Sequence, residues 1–375
     1  MFINKYFQIT ITPFCKSGEK QKGQNKNRKE IKTMENREVN TITNRYEIMA
    51  LIEAQMCNPN GDPDMANMPR MDLETNIGII TDAAFKARMR SYVKAEYGDI
   101  PGYSILFREA NDVNRDIAEA VLTTNNKEKM KKTDNKDVPM ARKFMCDKYW
   151  DVRTFGAVLS TGLNAGQVTG PAQVAMSLSV DPIEPEESSI TRRCYTSKNE
   201  YSSLEEYDKA DADYDPKLKR TMGKKTYIPY GLYVLKMSVS PCLAEKTGFS
   251  EEDFRVLLES LMQMYSYGIS SSKKGMSVLS PVIVFKHVGT NDPETNPAGL
   301  SRERRHGCVA DYKLHDMLTI TRKENVDFPR NRQDYDIELH MEDLPAGVVC
   351  GLKKAPYSDV EWLDTNETID LLNVK

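Results

Sequence analysis

The run N-P-N-G-D-P-D-M-A-N-M-P-R, from Asn58 to Arg70, concentrates the groups in this chain that are best suited to chemistry. Asp62 and Asp64 are two carboxylates on one tight loop, and such a pair could orient a metal-bound water beside a phosphodiester. The same Asp62 could instead cap its own turn through an Asx-type hydrogen bond. Pro59, Pro63 and Pro69 restrict the backbone, while Gly61 permits positive φ and the close approach of another chain, so the loop is rigid and low in bulk. Two core strands need less than this to be joined.

A second segment changes the weight of the first. From Phe155 to Pro171 the chain reads F-G-A-V-L-S-T-G-L-N-A-G-Q-V-T-G-P, with Gly162, Gly166 and Gly170 spaced four apart. Glycines leave backbone N–H groups uncovered, and Ser160, Thr161, Asn164, Gln167 and Thr169 add neutral donors, which suits phosphate or sugar contacts without selection among bases. No Gly-Lys-Ser/Thr follows, so this is not a Walker loop, and it does not open a helix as a dinucleotide fingerprint would. A phosphate-rich polymer fits better than a nucleotide. An enzyme using the loop for a metabolite would need a base, nucleophile or phosphate lysine beside it, and none stands out.

Cations come from a third segment. Between Thr81 and Tyr97 the spacing predicts a helix with Phe85, Met89 and Val93 inward, while Lys86, Arg90 and Lys94 recur every four residues on another face and Arg88 lies beside them. A solvated exterior would look the same, but the loop just upstream favours a basic ridge that meets an anion. The formal net charge of -3 excludes a uniformly basic surface, so phosphate affinity has to be local. Acidic residues concentrate elsewhere, at 184–187, 204–215 and 251–253.

Composition narrows the remaining classes. A chain of 375 residues with 39% hydrophobic content can bury a substantial core. Seven cysteines without a C-x-x-C pair point to a reducing cytoplasm. The four histidines are scattered, and His306 with Cys308 does not make a zinc site, so neither a metal nor a cofactor is expected. No apolar run is long enough to span a bilayer.

The positioning elements can be read coarsely. The first forty or so residues, polar and basic beyond Ile11, are expected to be disordered, giving an extension over 1–43 and a single domain over 44–375. A functional start at Met34 would remove most of that extension; a basic tail adding RNA affinity is the competing account. Tyr46 to Met56 alternates as a half-buried strand with Tyr46, Ile48, Ala50, Ile52 and Ala54 on one side. Tyr103 to Phe107 is expected as a strand, Val113 to Leu122 as a helix, Val174 to Val180 and Tyr230 to Val239 as strands. Ser250 to Tyr267 reads as the best helix, with Ser250 capping, Asp253 three residues on, and Gly268 ending it. Strands follow at Val282 to Val288, Tyr335 to His340 and Gly347 to Leu352. The stretch from Val288 to Cys308, with Arg302, Arg304, Arg305 and His306, reads as a loop. Polar stretches near 123–136 and 188–226 read as insertions.

The two loops, followed in order by S-L-S-V-D-P-I and S-S-I-T-R, resemble the backbone subunit of type I-C Cascade, the RNA-guided CRISPR surveillance complex. The likeness runs from Arg45 to the C-terminus. It implies an α+β fold: a modified ferredoxin-like palm of the RNA-recognition-motif type, with inserted finger and thumb elements. Strand, helix, strand, insertion, strand, helix, strand agrees with that core, although the aromatic signature of an ordinary RNA-recognition motif is missing. The resemblance further implies a non-catalytic protein whose copies join head to tail along a CRISPR RNA, with target DNA reached through the guide, and a handle-binding subunit and a large subunit as partners. Guide contacts carried over by it are Asn60, Gly61 and Arg70 in the first loop, Lys86, Arg88 and Arg90 on the helix, and Ser160, Thr161, Gly162, Asn164, Gly166, Gln167, Thr169 and Gly170 in the second. A metal-dependent endoribonuclease cutting target RNA through Asp62 or Asp64 is the alternative, since relatives of this fold in type III complexes cut with a loop aspartate.

Overall fold

The computed structural model describes residues 40–196, 200–215, 219–267 and 270–374. The disordered extension, the start at Met34 and the stop at Gly268 fall outside them, apart from 40–43. There Ile42 is buried in the core and the Asn40 carbonyl accepts from the Glu251 amide at 3.0 Å.

The architecture is mixed helix and sheet, built on strand Tyr46–Cys57. In the main sheet the order is Glu361–Trp362, Val348–Lys353, Val282–His287, Tyr46–Cys57, Thr221–Val239, Ser177–Pro182 and Ile77–Ile80, each antiparallel to its neighbour. Alternation puts Tyr46, Ile48, Ala50, Ile52 and Ala54 against one layer, where helices Asp82–Tyr97 and Glu251–Gln263 bring Phe85, Met89, Val93, Phe254, Leu257 and Leu261. These helices lie side by side, and Tyr92 and Tyr97 each donate to Glu259 at 2.8 Å. The capping box of Ser250 and Asp253 forms as the sequence indicates.

The central strand is buried on both faces rather than one. Met49 and Leu51 point to a second layer, where strands Leu318–Arg322, Tyr335–Leu339 and Ile369–Asp370 supply Tyr335, Ile337 and Leu339. Two glutamates on this face mimic a wet surface in the sequence, but each is buried with partners. Glu53 accepts from the Arg332 amide at 2.9 Å and guanidinium at 3.1 Å, and Glu47 from Arg45 Nε at 2.8 Å and Ser238 Oγ at 2.5 Å.

A third cluster joins helices Val113–Thr124 and Val138–Lys148 to the Gly-rich segment through Ile117, Val121, Met145, Val152, Leu159 and Val168. Between this cluster and the main core runs the short helix Trp150–Phe155, every residue of which is buried. Arg153 crosses to Asp253 with two bonds of 2.9 and 2.7 Å, and its remaining N–H groups reach the carbonyls of Cys146 and Gly102.

Two sequence expectations fail for physical reasons. Tyr103 to Phe107 is not a strand, because the Asp151 carboxylate takes the Leu106 and Phe107 amides that a ladder would use. The Arg-rich stretch expected as a loop contains helix Pro297–His306, started by an Asn296 side chain that accepts from the Gly299 amide and by Pro297. In the polar stretch near 188–226, Glu186–Arg192 pairs with the outer half of Thr221–Val239, and helix Leu204–Asp213 has no buried residue.

Two measurements check this packing. Replacing Arg153 with Leu leaves the Asp253 carboxylate buried without its cation, and chemical denaturation should show a loss of about 3–5 kcal/mol; a loss under about 1 kcal/mol would mean that the pair does not tie the layers. Burial pushes the Glu47 carboxyl up from 4.5 to about 7 despite its bond to Arg45. With the folded value above the unfolded one, the folded chain holds the extra proton in that interval, so this group's contribution falls as pH rises from 4.5 to about 7. Thermal melts of Glu47→Gln should lose that slope relative to the unsubstituted chain.

Candidate nucleic-acid interface

The first loop is built mostly from its own polar groups. Gly61–Asp62 pairs with Met68–Pro69 as a small hairpin around a single helical turn, Pro63–Met65. One Asp62 oxygen accepts from the Asp64 amide at 3.1 Å and the other meets Arg70 Nη1 at 3.1 Å. Asp62 is therefore a turn cap and ion-pair partner, both of its oxygens engaged within the loop. Gly61 does not sit at positive φ; Ala66 and Asn67 take the left-handed turn at 50° and 61°. A Cβ on Gly61 would lie 2.0 Å from Asn67 Oδ1 and 3.2 Å from the Asn67 carbonyl oxygen, so the close approach at this glycine is made by the loop itself.

Asn60 connects this loop to the helix. Its Oδ1 accepts from the Thr81 amide at 2.9 Å and hydroxyl at 3.0 Å, and Thr81 in turn caps helix Asp82–Tyr97 through the Ala84 amide. On the opposite flank half-buried Lys273 donates to the carbonyls of Asn58 and Pro59. Sequence reading passed over Lys273 because it stands in a polar run, S-S-S-K-K-G, with no periodicity to mark it.

The basic ridge is real as a helical face but largely engaged inside the protein. Lys86 pairs with Asp82 at 2.8 Å and lies 5.9 Å from the Phe155 ring centre. Arg90 donates through Nε to buried Asp151 at 2.9 Å and rests over Phe107 and Phe155 at 5.1 and 5.3 Å. Arg90 is thus a cross-tie as well as a surface cation. Arg88 is half-buried, and its charge disfavours the protonated form of Lys273. Beyond Arg90 an open cleft of about 530 Å³ is lined by Lys94, Phe107, Arg108 and Tyr267. Both rings are well exposed, at 42% and 49%.

The second loop is a hairpin, Gly156–Val158 against Gln167–Thr169. Its tip residues Ser160, Thr161 and Gly162 are exposed, as are Gln167 and Thr169. Gly162 and Gly166 take left-handed φ of 73° and 85°, which fixes the tip as a glycine structure. Asn164 is half-buried; its amide donates to Thr133 at 3.0 Å and its Oδ1 accepts from Gly166 at 2.7 Å, so the polar stretch at 123–136 braces this hairpin. Gly170 differs from the rest. It is buried, and a Cβ there would lie 2.3 Å from the Thr154 carbonyl oxygen, so packing rather than ligand contact requires it.

Bonds and packing join part of the sequence-derived set, while Gly170 is buried in the base of the hairpin. Asn60 holds the start of the helix, Lys86 and Arg90 on that helix pack on Phe155, and Gly156 begins the hairpin immediately after. The interface gathers mobile-hydrogen donors, backbone amides in left-handed turns and partly neutralised cations, a combination that suits a ribose-phosphate chain. Among the described residues no group of three or more His, Cys, Asp or Glu is placed to hold a metal ion, and no helix is long and apolar enough to cross a membrane.

Known proteins resemble the chain along this framework. The family model described as CRISPR-associated protein Cas7 matches residues 44–340. A curated CRISPR-associated protein Cas7 of Haloferax volcanii is 43% identical over 60 residues, which are 16% of this chain and 18% of that protein. The matched part thus spans less than a fifth of that relative's length. Chains of two CRISPR RNA-guided surveillance complexes, the first in a pre-nicking state, are 17% and 14% identical, with TM-scores of 0.38 and 0.37. The first alignment covers 68% of this chain and 82% of the other, and the second 72% and 80%. Because the family match takes in the core strand, both loops, the helix between them and the second core helix, the chain belongs to the CRISPR-associated protein Cas7 family.

Proposed function

We propose that this protein is a non-catalytic, CRISPR RNA-binding backbone subunit of a type I-C surveillance complex. One observation carries the reading: the Asn60–Thr81 bond and the Lys86 and Arg90 contacts with Phe155 tie the first loop and the helix after it to a hairpin some sixty residues further on. Ordered small donors and helix cations on one surface grip the guide's backbone and leave its bases to pair with invading DNA. Copies join head to tail through two different surfaces, which builds a helical filament rather than a closed pair, alongside a handle-binding subunit and a large subunit in the cytoplasm.

The palm reading draws support from strand order. Val282–His287, Tyr46–Cys57, Thr221–Val239 and Ser177–Pro182 stand side by side in the order fourth, first, third, second, with helix Asp82–Tyr97 following the first and Glu251–Gln263 following the third, both packed on one face. That is the arrangement of a split β-α-β, ferredoxin-like module. The covered second face argues against base stacking on an RNP-type sheet. The stretches near 123–136 and 188–226 then serve as finger and thumb. Engagement of both Asp62 oxygens by Asp64 and Arg70 disfavours the endoribonuclease alternative.

Titration of the full chain with labelled single-stranded RNAs of unrelated sequence should give affinities within about threefold of one another and a steep, linear loss with salt. Absence of binding, or strong preference for one sequence, would overturn the reading. Assembled complex incubated with complementary RNA and Mg²⁺ should leave that RNA intact; cutting abolished by Asp62→Ala would restore the nuclease.

A further inference from the structure

Resting on the RNA-binding reading, the geometry points to a fourth contact that the two loops and the helix do not include: residues Ser270–Lys274 form a seat for a backbone phosphate of the bound strand. This segment is fastened alongside the first loop. The Asn58 amide donates to the Ser272 carbonyl at 2.8 Å and the Gln55 amide to the Gly275 carbonyl at 2.9 Å. A Cβ on Gly275 would lie 1.6 Å from the Gln55 carbonyl oxygen, so only glycine allows that contact. The Lys273 amide closes a turn onto Ser270 at 2.9 Å, and the Ser270 and Ser272 hydroxyls bond to each other at 2.8 Å.

This fixed turn presents exposed Ser270, Ser271 and Lys274 next to the Asn58 end of the loop. Behind them Lys273 is committed to the Asn58 and Pro59 carbonyls. Burial and the nearby charge of Arg88 hold the Lys273 ammonium down near 8, with only the Cys57 thiol acting the other way. Like charges thus gather here from a helix and from a separate loop, an arrangement that a polyanion would relieve. Hydroxyl donors beside a lysine point charge suit a phosphodiester rather than a base edge. The partner is the ribose-phosphate of single-stranded RNA, continuing from the first loop.

The test uses the full chain and two labelled single-stranded RNAs of unrelated sequence, titrated across a salt series, with Lys274→Ala, Lys274→Arg and Ser271→Ala/Lys274→Ala compared with the unsubstituted protein. Lys274 is exposed, so the variants should melt as the parent does. Lys274→Ala should weaken both RNAs alike, by roughly three- to tenfold, and flatten the salt slope by about 0.7, the value for one lost contact to a single strand. Lys274→Arg should restore binding, and the double variant should fall further. Unchanged affinity and slope in Lys274→Ala, while the parent binds RNA, would overturn this seat alone. A loss confined to one sequence would also overturn it, since it would indicate base reading. A parent that binds neither RNA would overturn both this seat and the broader reading.

Discussion

Two opposite charges on one buried turn organise this protein. Asp151 and Arg153 lie on helix Trp150–Phe155, where no residue is exposed, and each reaches a different helix of the main layer: Asp151 takes Arg90, and Arg153 takes Asp253. Carrying such groups out of water costs several kcal/mol apiece, so they persist only where opposite charge and hydrogen bonds offset that cost. Both are present here. Asp151 also accepts two backbone amides, Arg153 also reaches two carbonyls, and Asp253 completes the Ser250 cap. The glycine hairpin starts at the next residue, Gly156, so its base inherits a position set by both core helices.

That constraint matters because the central strands Tyr46–Cys57 and Val282–His287 are almost wholly buried. Helices cover one side and the Leu318–Arg322, Tyr335–Leu339 and Ile369–Asp370 layer covers the other, with Tyr335 stacked near Tyr230 and bonded to Asp181. A ligand must then meet loops that leave strand ends and helix starts. Loops hold a precise surface only when something rigid holds them. Asn60 on the helix cap, Lys273 on the Asn58 and Pro59 carbonyls, and Thr133 on the Asn164 amide are those fastenings.

How much of this was legible in the sequence depended on the range of the interaction. The helices at Asp82–Tyr97 and Glu251–Gln263 announced themselves through periodicity and a cap, both local signals. Both loops were visible from glycine and proline. What stayed hidden was set at long range. Glu47 and Glu53 looked like a solvated face because their partners, Ser238 and Arg332, are far away in sequence. Tyr103 to Phe107 had strand composition, yet Asp151 took its amides. Gly170 was legible as a glycine position, but its reason, contact with the Thr154 carbonyl, was not. The cations of the ridge were found, and their internal partners Asp82 and Asp151 were not.

Those partners change what the ridge can do. Arg70, Lys86 and Arg90 each already touch a carboxylate, so a phosphate arriving there competes with Asp62, Asp82 or Asp151 instead of meeting a bare cation. Part of the attraction is cancelled in advance, which agrees with a net charge of -3 on the whole chain. Under the proposed role, a single copy would hold a nucleic-acid backbone by geometry more than by charge: left-handed glycines at the hairpin tip, hydroxyls at Ser160 and Thr161, and the few cations that remain available. Weak individual grips suit a repeating assembly. When neighbouring copies hold one strand, each release is opposed by the others at high effective concentration, so modest contacts add up to firm retention without any copy reading sequence. In that role the carboxylates beside the cations would favour an extended strand over scattered anions, because only a ligand that reaches several sites at once recovers the lost ion pairs.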